Sequence, residues 1–228
     1  MTYSTFLLDL DHTLFDTDAS EVMAFEQTML AGGIDQPGRY LEAYQRINLE
    51  LWAAVERGEM GPQLVRNLRF ERLVMEFDLD ADPQQLSDQF VVGLGAFGDL
   101  YDGAREVLQA LSKNVSMAMV TNGLGEVQRS RIARLGLDEF FDAVAISAEI
   151  GASKPDAEIF DIVFDSLGAS AQESAVMVGD NLSADISGAA NYGIATCWYN
   201  PQGRTADASH KIDHEISNLQ ELVGLVAI

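Results

Sequence analysis

The feature that most constrains this chain is the separation between its first strand and the rest of its strand signal. Thr5-Phe-Leu-Leu-Asp-Leu-Asp11 is a short apolar run ending in acids and a turn, the pattern of a buried strand. Helical periods follow. Asp18-Ala-Ser caps a segment from Glu21 to Leu30 that Gly32-Gly33 ends. Pro37 opens a second that runs through Arg57 and stops at Gly58, and further segments lie near 62–76 and 83–92. After Gly103 the pattern changes. Helical periods now alternate with apolar runs at Val115–Val120, Ala143–Ile146, Ala175–Val178 and Ile194–Cys197. Such alternation implies βα units and a parallel sheet. The block from 17 to 96 is too long for a single crossover helix. The expected fold is therefore α/β. A Rossmann-like parallel-sheet core spans 1–16 and 97–228, and an all-helical cap domain, 17–96, is inserted after the first strand.

Charge narrows the partners. The formal net charge is -22, and a surface of that sign repels nucleic acid polymers and anionic membranes. No apolar run has the length of a membrane span, and the N-terminus lacks the basic start of a signal peptide. Cys197 is the single cysteine, so no internal disulfide forms, and the expected setting is the cytoplasm. A small anionic ligand would also be repelled at long range. Its site must carry local positive charge, yet lysine occurs only at 113, 154 and 211.

Ligands of open α/β sheets bind beyond the carboxyl ends of the strands. The residues expected at those ends here are Asp9-Leu-Asp-His-Thr13, Thr121-Asn-Gly123 and Gly179-Asp-Asn181, with Asp185 a little further on and Lys154-Pro155 on a loop. Gathered carboxylates repel one another, and their desolvation is costly without a cation. Asp9 and Asp180 can offer hard oxygen ligands to Mg2+, which also takes a substrate phosphate. Lys154 offsets phosphate charge, and Thr121 with the nearby amides of Asn122 and Gly123 can hydrogen-bond phosphate oxygens. A carboxylate is a competent nucleophile toward phosphorus. A second carboxyl two residues away can act as acid and then as base. Singly, Asp9 and Asp11 could be turn residues and Asp180 a helix cap; the whole set in order is hard to explain that way.

The order Asp-x-Asp-x-Thr, strand-end Thr, Lys-Pro and Gly-Asp-x-x-x-x-Asp resembles the motifs of the haloacid dehalogenase (HAD) superfamily over the whole chain. The helical block stands where that family carries its C1 cap. The resemblance implies a phosphohydrolase in which Asp9 is the nucleophile and Asp11 the acid/base, while Thr121 and Lys154 bind the phosphoryl group. It implies Mg2+ held by Asp9, the main-chain carbonyl of Asp11 and Asp180, with Asp185 in support. Narrower likenesses, at Asn48-Leu-Glu-Leu-Trp52, Thr121-Asn-Gly123 with Gln128 and Arg131, Ser147–Gly151 and Cys197-Trp-Tyr-Asn-Pro201, are to HAD 5'-nucleotidases acting on pyrimidine and non-canonical nucleoside monophosphates. His12 departs from that group, where an acidic residue is common. The partner implied is a small phosphorylated metabolite, and the chain is expected as a monomer or homodimer. A sugar-phosphate phosphatase or phosphomutase would share every core residue. An acidic metal-binding interaction protein without turnover is the alternative of another class. A haloacid dehalogenase is disfavoured because that chemistry needs no Mg2+ and typically lacks the second carboxylate, Asp11.

Other signals point elsewhere. Gly93-Leu-Gly-Ala-Phe-Gly98 matches a dinucleotide-binding fingerprint in letters only; it follows a helical segment and reads as a flexible hinge between cap and core. Asp9 to Ser20 lacks the Gly and Glu of a calcium loop. His210 and His214 read as part of a solvated face rather than a metal pair, and Cys197 as core. Phe70 and Phe77 read as packing. Arg66 and Arg69 read as surface charges first and nucleotide contacts second. Asn48 and Trp52 share a helix face and are the favoured cap residues for contact with a base.

Overall fold

The computed structural model describes residues 2–227. Its strands are β1 (Thr5–Leu8), β2 (Ser116–Thr121), β3 (Ala143–Ile146), β4 (Ala175–Gly179), β5 (Ala195–Tyr199) and β6 (His214–Ile216). Its helices are α1 (Thr17–Ala31), α2 (Leu41–Glu56), α3 (Pro62–Phe77), α4 (Pro83–Ala96), α5 (Ala104–Leu111), α6 (Gly125–Leu135), α7 (Ser147–Ile150), α8 (Ala157–Leu167) and α9 (Gly188–Tyr192). The strands form one sheet in the order β3-β2-β1-β4-β5-β6, every pair parallel. The expected α/β class is what the structure has.

Strand order explains where a ligand should bind. The chain runs outward from β1 to β2 and β3, then returns to place β4 on the other side of β1. The order reverses between β1 and β4, and the crevice beyond their carboxyl ends is the topological switch point. Phe6 of β1 is in register with Met117 and with Val176, and every residue of β1 and β4 is buried. Along one face, Leu7, Ala118, Val120 and Met177 pack with Ile159, Phe160, Val163 and Phe164 of α8. Those four side chains share one helix face, and burying each contributes roughly 1.5–3 kcal/mol.

Two compact units are present: Met1–Asp16, Leu100–Asn122 and Leu135–Ile228 form one, Thr17–Asp99 and Gly123–Arg134 the other. The stretch Gly123–Arg134, assigned to the core on the sequence, thus groups with the helical unit. Hydrogen bonds inside that unit give a reason. The carbonyls at the end of α4 lack partners along the helix. Leu94 O accepts from Arg131 Nε (3.0 Å), Gly95 O from Ser130 Oγ (3.3 Å) and Gly98 O from Arg134 Nη2 (2.8 Å). Residues of α6 therefore cap α4.

Two glycines of the run from Gly93 to Gly98 lie in a helix rather than in the flexible linker expected. Gly93 and Gly95 are buried within α4. A β-carbon on Gly93 would sit 3.0 Å from Ala24 Cβ, and one on Gly95 would sit 2.7 Å from Ser130 Cβ. These glycines permit close helix packing. Only Gly98, at φ 85°, uses a backbone region reserved for glycine. The C-terminal face also differs from expectation. Residues 214–216 form the edge strand β6, with His214 opposite Cys197. The Tyr3 hydroxyl lies 2.9 Å from His214 Nε2, and Ser187 Oγ lies 2.9 Å from His210 Nδ1. Cys197 is buried, as expected. No helix among the described residues is long and apolar enough to cross a membrane.

Candidate active site

Asp9 is the first residue past β1, anchored by its amide to Val178 O of β4 (3.0 Å). The chain then turns sharply. The amides of Thr13, Leu14 and Phe15 point at Leu10 O (3.4, 3.0 and 2.9 Å). His12 adopts φ 60° in that turn, a conformation that His, Asn and Asp adopt more readily than most residues. The turn brings Thr13 Oγ1 back to donate to Asp9 Oδ2 at 3.2 Å. Asp11 stays half-buried beside it.

The other strands deliver the rest. Thr121 ends β2 fully buried. The next residue, Asn122, uses its side-chain amide on the main chain of Lys154. Its Nδ2 donates to Lys154 O, and its Oδ1 accepts from Lys154 N, both at 2.9 Å. The Asn122 side chain thus holds Lys154 in place. Gly123 is compact by necessity, since a β-carbon there would sit 2.8 Å from Gln128 Nε2.

Lys154 precedes a cis proline and is buried. Its ammonium lies 2.6 Å from Asp9 Oδ1 and 2.7 Å from Asp185 Oδ1. Asp185 Oδ1 has no aligned hydrogen bond, so this ionic contact is its compensation. Asp185 Oδ2 accepts from the Asn181 amide at 3.0 Å. Asp185 sits in a short π-helical turn, Leu182–Ser187, whose start Asn181 caps by accepting from Ser183 N and Ala184 N (2.9 Å each). Gly179 makes room for it: a β-carbon there would fall 2.1 Å from Asp185 Oδ2. The role of this glycine was not legible in the sequence.

Electrostatics follow from burial. Desolvation pushes the Asp9 carboxyl well above its ordinary value; Lys154 opposes that, and Asp185 and Asp11 add to it. Asp180, just past β4, is pushed up to about 6 by burial and by Asp185, against His12, Arg204 and Lys154. Burial alone would lower the Lys154 ammonium, but Asp185 and Asp9 more than offset it and the group is raised. Carboxylates that resist ionising together are a ready place for a cation. Asp9, Asp180 and Asp185 each bring a carboxylate oxygen within 4.8 Å of the others. An all-oxygen set without Cys or His fits Mg2+ better than softer metals.

The candidate residues of the helical segments have partners within the helical unit. Arg69 is not a surface charge. It is 2% exposed, and its Nε donates to Val65 O at 3.2 Å. Its Nη1 lies 3.4 Å from both the Tyr44 hydroxyl and Asn48 Oδ1, and its guanidinium stands 4.9 Å from the Phe90 ring centroid. Asn48 donates in turn to Glu21 Oε1 at 2.9 Å. Arg66 is partly exposed, paired with Asp88 at 2.8 Å and with Glu126. Trp52 packs half-buried against the helical core, and Phe70 lies within it. Sequence reasoning missed Arg204 and gave no role to Trp198, and both donate to the carbonyl of Asp180.

Known proteins share this arrangement of sequence and fold. The profile of the haloacid dehalogenase-like hydrolase family matches residues 6–199. Pyrimidine 5'-nucleotidase PynA of Streptococcus pneumoniae is 33% identical, over 98% of this chain and 94% of that protein. Pyrimidine 5'-nucleotidase YjjG of Escherichia coli is 29% identical over 99% of each. The crystal structure of HAD-hydrolase YfnB of Bacillus subtilis, bound to magnesium, superposes with a TM-score of 0.92 at 32% identity over 100% of both chains.

Proposed function

This chain belongs to the haloacid dehalogenase-like hydrolases, and we propose that it is a Mg2+-dependent phosphomonoesterase that releases phosphate from pyrimidine or non-canonical nucleoside 5'-monophosphates. The observation that carries the phosphomonoesterase reading is the group of buried Asp9, Lys154 and Asp185 with partly buried Asp180 beyond the carboxyl ends of the central strands. The nucleotide reading is supported by likeness along nearly the whole chain to two pyrimidine 5'-nucleotidases.

In this reading Asp9, Asp180 and the Asp11 carbonyl hold Mg2+, and Asp185 supports the set through Lys154. Bound there, Mg2+ supplies the positive charge that lets neighbouring carboxylates stay ionised beside a phosphate dianion. The Asp9 carboxylate attacks phosphorus, forming an acyl-phosphate bond as the bond to the leaving oxygen breaks. Asp11 gives its proton to that oxygen. Asp11 then takes a proton from water as the water attacks phosphorus and Asp9 is released. Lys154, fixed by Asn122, balances charge on Asp9 and on the transferred group. Thr121, with the Asn122 and Gly123 main chain, binds phosphoryl oxygens. The proposed setting is the cytoplasm, consistent with a lone buried cysteine.

The test is phosphate release with Mg2+ across nucleoside 5'-monophosphates and sugar phosphates, with and without EDTA. Hydrolysis led by pyrimidine nucleotides and abolished by EDTA is expected. Preference for sugar phosphates would overturn the nucleotide reading. Full activity in chelator would overturn the metal.

A further inference from the structure

The run from Cys197 to Pro201 is a sequence signature that the chemistry above leaves unused. In the structure, Trp198 of this run and Arg204 just beyond it converge on Asp180. Trp198 Nε1 donates to Asp180 O at 3.0 Å, and Arg204 Nη2 donates to the same oxygen at 2.8 Å. The guanidinium also lies 5.4 Å from the Trp198 ring centroid and 3.6 Å from Asp180 Oδ2. Arg204 does not reach this position by chance of a long side chain. Asn200, buried at the end of β5, accepts from Arg204 N at 2.8 Å and donates to Arg204 O at 2.9 Å. Asn200 is itself anchored by Glu215 Oε1 at 2.6 Å. A chain of contacts thus runs from the edge strand β6 through Asn200 and Arg204 to the peptide that carries Asp180.

We propose that Arg204 and Trp198 are positioning residues that set divalent-cation affinity by clamping the carbonyl of Asp180. This rests on the reading of Asp180 as a metal ligand. A carbonyl gripped by two donors fixes the orientation of its peptide, and hence the direction in which the Asp180 side chain leaves the backbone. Groups that orient a metal ligand typically contribute about 10–100-fold in metal affinity or activity. The charge of Arg204 acts the other way, since a cation beside a ligand carboxylate competes with the metal. Its side chain is 46% exposed, so solvent screens that charge, whereas the hydrogen bond to the carbonyl keeps its geometry. Positioning therefore outweighs repulsion.

The test titrates Mn2+, an oxygen-seeking paramagnetic probe, into the full-length protein and follows the free-ion resonance, so turnover is not needed. Arg204→Ala and Trp198→Phe are each expected to raise the Mn2+ Kd about tenfold. Arg204→Lys, which keeps one donor on a flexible stem, recovers part of that loss. In kinetics, the metal concentration for half-maximal rate rises far more than kcat at saturating metal falls. Circular dichroism shows whether each variant is folded, and Trp198→Phe carries the test if Arg204→Ala is not. Unchanged Kd in the folded variants overturns the proposal. So does tighter binding in Arg204→Ala, which would mean that its charge dominates. Asp180→Asn, run in parallel, must abolish binding; if it binds Mn2+ like the parent, the error lies in the assignment of Asp180 itself.

Discussion

Lys154 Nζ and Asp9 Oδ1 lie 2.6 Å apart, each side chain almost wholly buried, and residues 145 positions apart in the chain thereby share one enclosed charge pair. Removing the cation leaves the Asp9 and Asp185 carboxylates facing each other without a counter-charge. Lys154→Met should destabilise the fold by about 3–5 kcal/mol near pH 8 in EDTA, as expected for breaking a buried pair. The sign with pH is defined. Without Lys154 the Asp9 carboxyl is raised further above its unfolded value, so the variant is most stable in acid and weakens as pH rises. Urea unfolding at pH 5 and pH 8 measures this; a smaller loss at pH 8 than at pH 5 would contradict it.

The two motif carboxylates should separate kinetically. Asp9→Asn keeps shape but removes the nucleophile, and turnover should fall roughly a thousandfold or more. Asp11→Asn should lose about 10²–10⁴-fold, the usual contribution of general acid–base catalysis, with its fold intact. Steady-state kinetics beside circular dichroism decides both. Parent-like turnover in Asp9→Asn would rule out the covalent route.

Gly179→Ala places a methyl where Asp185 Oδ2 now lies. Either Asp185 leaves Lys154 and the Asn181 amide, or β4 shifts. The expected cost is about 1–3 kcal/mol, together with a large loss of activity. Thermal unfolding and kcat/KM are the measurements, and an unaffected variant would mean that Asp185 is not held where the structure has it.

Arg69 and Arg66 are near in sequence but should behave oppositely. Arg69→Ala leaves Tyr44 and Asn48 without a donor and removes the cation from the Phe90 ring, so a loss of about 2–4 kcal/mol is expected. Arg66 is partly exposed and paired with exposed acids, and Arg66→Ala should change stability by about 0.5–1 kcal/mol or less. Chemical denaturation of the two variants gives the comparison; equal effects would refute the buried role of Arg69.

Burial, with a smaller push from Glu221, raises the Cys197 thiol to about 12. Native protein should therefore react very slowly with iodoacetamide at pH 8 and quickly once unfolded. The unfolded chain ionises this thiol first, so its contribution to stability is intact below about pH 8.5 and declines by up to about 1.4 kcal/mol per pH unit above it, until the folded thiol ionises. Rapid native-state alkylation would show that β5 opens to solvent.

The sequence by itself determined what depends on neighbours along the chain. Apolar runs of strand length ending in Asp9, Thr121 and Asp180 specify strands with polar tips, because a buried parallel strand admits polar residues only at its ends. Helical periods between 17 and 96 specify helices, although α1 begins at Thr17, a turn earlier than its cap signal suggested. What only the tertiary structure decided involves partners far apart. Arg69 looked like a surface charge because nothing local reveals that Asn48, Tyr44 and Phe90 enclose it. The three-residue strand β6 is too short to carry a period, and it exists because β5 offers an open edge to pair with. Gly93 and Gly95 read as a hinge because glycine permits both bending and close approach, and only Ala24 and Ser130 lying against them select the second. Asn122 and Arg204 carry polar groups suited to a ligand, yet they bind the main chain of Lys154 and Asp180 instead. A hydrogen-bonding side chain takes the partner that folding brings within about 3 Å, and that choice is made in three dimensions.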